Sequence, residues 1–126
     1  MRRLIAATKN KGKLKEIKEM LCGLPFEIIS MEDAGINGDI VEIGSTFKEN
    51  ALIKASEICK MTGEIAIADD SGLEVDYLNG APGIYSSRFA GEGKGDDVKN
   101  KKLLYLLKDA PFEKRTARFV CAMAAV

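Results

Sequence analysis

The sequence predicts an α/β fold, a mixed sheet flanked by helices. Three observations carry the prediction. Short apolar runs of strand length at residues 4–7, 26–30 and 65–68 alternate with segments of helical periodicity. Those segments open on capping residues and stop at glycine or proline. The chain of 126 residues, 46% hydrophobic and 30% charged, suits one domain with a single core.

Residues 4–7 read as a buried strand running into the polar loop Thr8-Lys9-Asn10-Lys11-Gly12. From Lys11 the period changes, and Leu14, Ile17, Met20 and Leu21 fall at helical spacing among lysines and glutamates. That helix has its first turn at residues 10–13 and stops around Gly23-Leu24-Pro25. Phe26–Ser30 follows as a second strand. Ser45-Thr46 opens the next helix, where Thr46 and Glu49 stand at capping-box spacing. Phe47, Ala51, Ala55, Ile58 and Thr62 line one face of it, and Gly63 supplies the stop.

Residues 65–68 form a short buried strand ending in Asp69-Asp70-Ser71-Gly72. Leu73, Val75 and Tyr77 then alternate with Glu74 and Asp76 as a half-exposed strand, before the turn residues Asn79-Gly80-Ala81-Pro82-Gly83. Asp96 and Asp97 open a last helix bearing Val98, Leu103, Leu104, Leu106 and Leu107, which ends near Asp109-Ala110-Pro111. A final strand begins at Thr116 and runs apolar to Val126 without a cap or polar tail. Termini ordinarily carry polar residues, so the C-terminal part of the fold is expected to be missing and further chain to complete the sheet. A sheet edge left open there is expected to promote self-association.

Composition excludes several functions. Nineteen basic and nineteen acidic residues cancel, so no overall field favours nucleic acid or an anionic membrane. No apolar stretch approaches the roughly 18 residues of a membrane span. Without histidine, no His-dependent triad or His-rich zinc site can form. Cys22, Cys59 and Cys121 form no CxxC pair and sit in apolar stretches, which reads as small buried hydrophobes in a cytoplasmic, reducing setting.

Charge is nonetheless uneven. Arg2, Arg3, Lys9, Lys11, Lys13, Lys15 and Lys18 crowd the first eighteen residues, whereas carboxylates dominate later. Brought together, the two would hold a polyphosphate through a divalent cation; kept apart, they are solvated surface. The strand–loop–helix at Thr8 to Lys13 has a helix N-terminus suited to phosphate and a glycine permitting close approach. It is not a P-loop, because Ala7 and Leu14 stand where the first glycine and the hydroxyl belong. A plain surface loop fits as well. Asp69-Asp70-Ser71-Gly72 lies beyond a strand end, where α/β sheets bind ligands, and its adjacent carboxylates call for a cation or basic partner. The same residue types also make an ordinary turn. Glu42, in the loop before the second helix, could complete a metal site. Glu49 is accounted for by capping and Lys54 by a solvated helix face.

Four motifs stand in order: Thr8-Lys9-Asn10-Lys11-Gly12-Lys13, Ser45-Thr46-Phe47-Lys48-Glu49-Asn50-Ala51, Asp69-Asp70-Ser71-Gly72-Leu73, and Gly80-Ala81-Pro82-Gly83-Ile84-Tyr85-Ser86-Ser87-Arg88-Phe89-Ala90-Gly91. Over its whole length the chain resembles the inosine triphosphate pyrophosphatase family. The resemblance implies hydrolysis of ITP, dITP or XTP to the monophosphate and pyrophosphate with Mg2+. It implies that Thr8, Lys9, Asn10, Lys11, Gly12 and Lys13 bind the triphosphate and that Ser71 contacts substrate. Asp70 would be the proton acceptor and, with Glu42, a metal ligand. Asp69, Glu49, Lys54 and Arg88 are further candidates. The implied assembly is a homodimer at full length. Family members continue for several dozen residues with a Phe-Gly-Tyr-Asp segment, a lysine and a Ser-His-Arg segment that hold the base, so a catalytically impaired triphosphate- and metal-binding fragment is the alternative. A structural or interaction protein, with no apolar repeat or charge block behind it, comes third.

Overall fold

A computed structural model describes residues 1–91 and 94–126. Its elements run β1 (Arg2–Ala6), α1 (Lys11–Met20), β2 (Phe26–Ser30), α2 (Phe47–Thr62), β3 (Ile65–Val75), α3 (Asp96–Leu106) and β4 (Ala117–Ala125), with 3-10 turns at Asp76–Leu78, Gly83–Arg88 and Phe112–Lys114. Among the described residues the sheet has four strands in the order β2-β1-β3-β4. β1 pairs parallel with both β2 and β3, with Ala6 opposite Ser30 on one side and Ile67 on the other. Ala66 and Val126 exchange backbone hydrogen bonds while the Asp76 N–H donates to Thr116, so β4 runs antiparallel to β3. The sheet is mixed, as the sequence predicts.

Two compact units emerge, Met1–Asp70 with Ala122–Val126, and Ser71–Cys121. In the first, Leu4, Ile5 and Ala6 are all buried, which covers both faces of β1 and explains its unbroken apolar run. Ile5, Ala7, Ala66 and Ala68 pack with Ala55 and Ile58 of α2 and with Met31. Small residues on β3 and α2 let helix and sheet approach closely. In the second unit Val75, Leu107 and Ala110 form a smaller core with Leu73, Leu78 and Leu103. The Arg115 guanidinium closes it by donating to the carbonyls of Leu107 and Ala110, just beyond the end of α3.

Several expectations need correction. Asp69-Asp70-Ser71-Gly72 is not a turn: β3 runs unbroken through it, and Tyr77 lies in the 3-10 turn beyond rather than in a strand. Pairing on a sheet overrides local turn propensity where neighbouring strands satisfy the backbone. The capping box is half displaced. Thr46 Oγ1 accepts from the Glu49 N–H as expected, but Glu49 accepts from the Ser45 N–H, one residue further out. No residue within α3 is buried; the buried Leu107 and Ala110 follow its end. Cys22 and Cys121 are exposed, and only Cys59 packs against a core. All three thiols are free.

Candidate functional site

The parallel register sets the geometry. Because Ala6 lies opposite Ile67, the segment leaving β1 and the Asp69-Asp70 step on β3 lie at the same edge of the sheet. β1 gives way to Thr8, whose Oγ1 accepts from the Asn10 N–H. Asn10 then caps α1, its Oδ1 accepting from the amides of Gly12 and Lys13 at 2.9 and 3.1 Å. A Cβ at Gly12 would come 3.2 Å from that oxygen, so a larger residue there would crowd the cap. The cap therefore occupies two of the amides assigned to phosphate. Lys9 donates to Asp39 and holds that carboxyl below its ordinary range. Both partners are exposed, so the pair adds little stability.

Lys13 reaches the other way. Its Nζ lies 2.8 Å from Oδ2 of Asp69, a carboxylate only 7% exposed. Asp70 beside it is 9% exposed, and its Oδ2 is buried without a hydrogen-bond partner. Burial raises the Asp70 carboxyl above its ordinary value, with the charges of Glu42 and Asp69 adding to the rise, while Lys54 and a hydrogen bond from Asn50 oppose it. Lys54 is paired at 3.2 Å with Glu42, and the lysine side chain is only 18% exposed. It does not lie on a solvated helix face. Lys13, Asp69, Asp70, Glu42 and Lys54 thus form one alternating cluster of charge. Glu42 adds its carboxylate to those of the two aspartates, and among the described residues no group of three or more side chains is close enough to form a metal cage.

The remaining candidates are placed elsewhere or otherwise engaged. Lys11 is an exposed residue in the first turn of α1. Glu49 spends its carboxylate on Ser45. Ser71 follows Asp70 on β3 and is exposed. Arg88 ends the Gly83–Arg88 turn with its guanidinium 5.7 Å from the centre of the Tyr85 ring. Sequence reasoning missed Asn50. It lies three positions after Phe47 on the buried face of α2 and is 2% exposed. A polar residue in phase with an apolar stripe was the available signal, because a buried amide must find partners.

The Ham1 family profile matches residues 4–126. A dITP/XTP pyrophosphatase of Geobacter sulfurreducens is 52% identical over 124 residues, which cover 98% of this chain and 62% of the relative. One of Bacillus licheniformis is 53% identical over 98% of this chain and 63% of its own length. The solved structure of a HAM1 protein from Coxiella burnetii superposes with a TM-score of 0.92 at 42% identity, covering 100% of this chain and 64% of that one. The Staphylococcus aureus Ham1 protein gives 0.87 at 39%, covering 99% and 63%. This chain therefore spans somewhat under two thirds of the length of these relatives.

Proposed function

The chain belongs to the Ham1 family, and from that premise we propose that it acts in hydrolysis of deaminated purine nucleoside triphosphates. Water would split the α–β anhydride of ITP, dITP or XTP to give the monophosphate and pyrophosphate. The observation that carries this reading is Asp70, a buried carboxylate with an unpartnered oxygen, set among Asp69, Glu42, Lys13 and Lys54. The substrate class is taken from the relatives named dITP/XTP pyrophosphatase.

Attack of water on a phosphoryl centre needs a base, neutralised charge and in-line positioning. Among the groups gathered in the cluster, a buried carboxylate is the natural proton acceptor. Asp70 is suited to this, because burial makes its carboxylate more basic than an exposed one. As the new P–O bond forms, the water proton passes to Asp70 and the anhydride electron pair leaves with pyrophosphate. The loop of Thr8, Lys9, Asn10, Lys11, Gly12 and Lys13 would hold the phosphates at the N-terminus of α1, with Lys13 supplying charge. Ser71 would contact the substrate beside Asp70.

The donor set fits magnesium. That ion takes one or two protein carboxylates and fills its other positions with water and phosphate oxygens, and Asp70 and Glu42 are such a pair. When bound, Mg2+ supplies charge neutralisation on the triphosphate. A cytoplasmic homodimer is part of the same proposal. The same cluster also serves a second reading, binding of the metal–triphosphate without turnover.

Incubation with ITP, dITP or XTP and Mg2+, with parallel calorimetric titration, tests both. Equal amounts of pyrophosphate and monophosphate support hydrolysis, and binding without products supports the second reading. Orthophosphate as the product, or no binding at all, overturns both.

A further inference from the structure

The buried amide of Asn50 has no role in the scheme above, yet it ties down the loop that carries Glu42. Its Oδ1 accepts from the Gly44 N–H at 2.9 Å, two residues after Glu42. Its presence also favours the ionised form of Asp70. At 2% exposure it is more buried than either aspartate. The opposing surface is equally constrained. A Cβ at Gly44 would lie 2.7 Å from Asn50 Oδ1 and 2.7 Å from Glu49 Cβ, so only glycine lets the loop backbone reach the amide.

We propose that Asn50 is a positioning residue for divalent-cation binding: it pins the Glu42 loop through Gly44, so that Glu42 is held in the cluster with Asp70, whose buried Oδ2 is the ligand atom. The oxygen limits where the loop carboxylate can sit. A carboxylate or lysine at position 50 would alter the charge of the cluster, whereas an amide orients it only. Lys54, one turn further along α2 and paired with Glu42, holds the same loop from a second point.

The inference rests on the metal-binding reading above, and the experiment separates the two. Mn2+ alone is titrated by calorimetry into the wild-type chain, Asn50→Leu and Gly44→Ala. Asn50→Leu keeps the volume and removes the hydrogen bond to Gly44. Gly44→Ala breaks the same contact from the loop side and keeps the proposal falsifiable should the first variant fail to fold. Residues that orient metal ligands typically change affinity roughly ten- to a hundredfold, and that loss is expected in each folded variant. A purely structural asparagine would lower the melting temperature and leave Mn2+ affinity of the folded protein within about twofold of wild type. That result overturns the proposal while the metal site stands. Absence of Mn2+ binding by the wild-type chain overturns the metal-binding reading and this inference with it.

Discussion

Lys13 Nζ lies 2.8 Å from Asp69 Oδ2, a contact that spans 56 residues of sequence. Parallel pairing of β1 with β3 brings the first basic loop and the buried carboxylates to one edge, and the ion pair closes between them. Charge that cancels over the whole chain is thereby sorted into a local, alternating cluster. A triphosphate entering beside Lys13 would meet a cation already desolvated on one side.

Replacing Lys13 with alanine is expected to weaken triphosphate binding far more than nucleoside binding. A charge-assisted hydrogen bond is worth roughly 1.5–3 kcal/mol, about ten- to a hundredfold in affinity. Calorimetric titration of ITP and inosine against both proteins checks this. Equal weakening of the two ligands would mean that Lys13 acts through its pairing with Asp69 instead.

Asp70 sets the pH dependence. Its folded-state carboxyl lies above the ordinary value of 3.8, so the folded chain binds that proton more tightly than the unfolded chain. Ionising Asp70 therefore costs stability. The cost is absent below pH 3.8, grows as the pH rises above it, and is complete once the folded value is passed. In chelator, Asp70→Asn is expected to melt above wild type at pH 7, with the difference closing toward pH 3.8. Added Mg2+ should raise the wild-type melting temperature and leave the variant unmoved. A variant less stable at pH 7 in chelator contradicts this assignment.

Thr46→Ala removes the acceptor of the Glu49 N–H at the start of α2. Loss of such a cap costs about 1 kcal/mol, and urea unfolding should show a lower midpoint with an unchanged slope. An unchanged midpoint would show that the Glu49–Ser45 bond alone suffices for the cap.

What was legible in the sequence follows from how local each signal is. Phe26–Ser30, the Thr46 cap and the Gly63 stop depend on residues within one or two turns, and the structure keeps all three; Gly63 has φ 70°, which suits glycine at a helix end. The continuation of β3 through Asp69-Asp70-Ser71-Gly72 was hidden, because partners distant in sequence hold that backbone: Val126 pairs with Ala66 at one end and Thr116 with Asp76 at the other. Lys54 looked solvated for the same reason, since its partner Glu42 sits in an irregular loop that no periodicity reports. Asn50 was legible in principle as a polar residue in phase with Phe47 on α2, but its partner at Gly44 was not.

The central claim is that Asp70 and the loop ending at Lys13 together hold a magnesium–triphosphate. Titration of ITP with and without Mg2+, on wild type and on Asp70→Asn, tests it most directly. The account predicts that Mg2+ strengthens ITP binding to wild type by about tenfold or more, and to Asp70→Asn by less than about twofold. Equal strengthening in the two proteins would place the metal away from Asp70 and contradict the account.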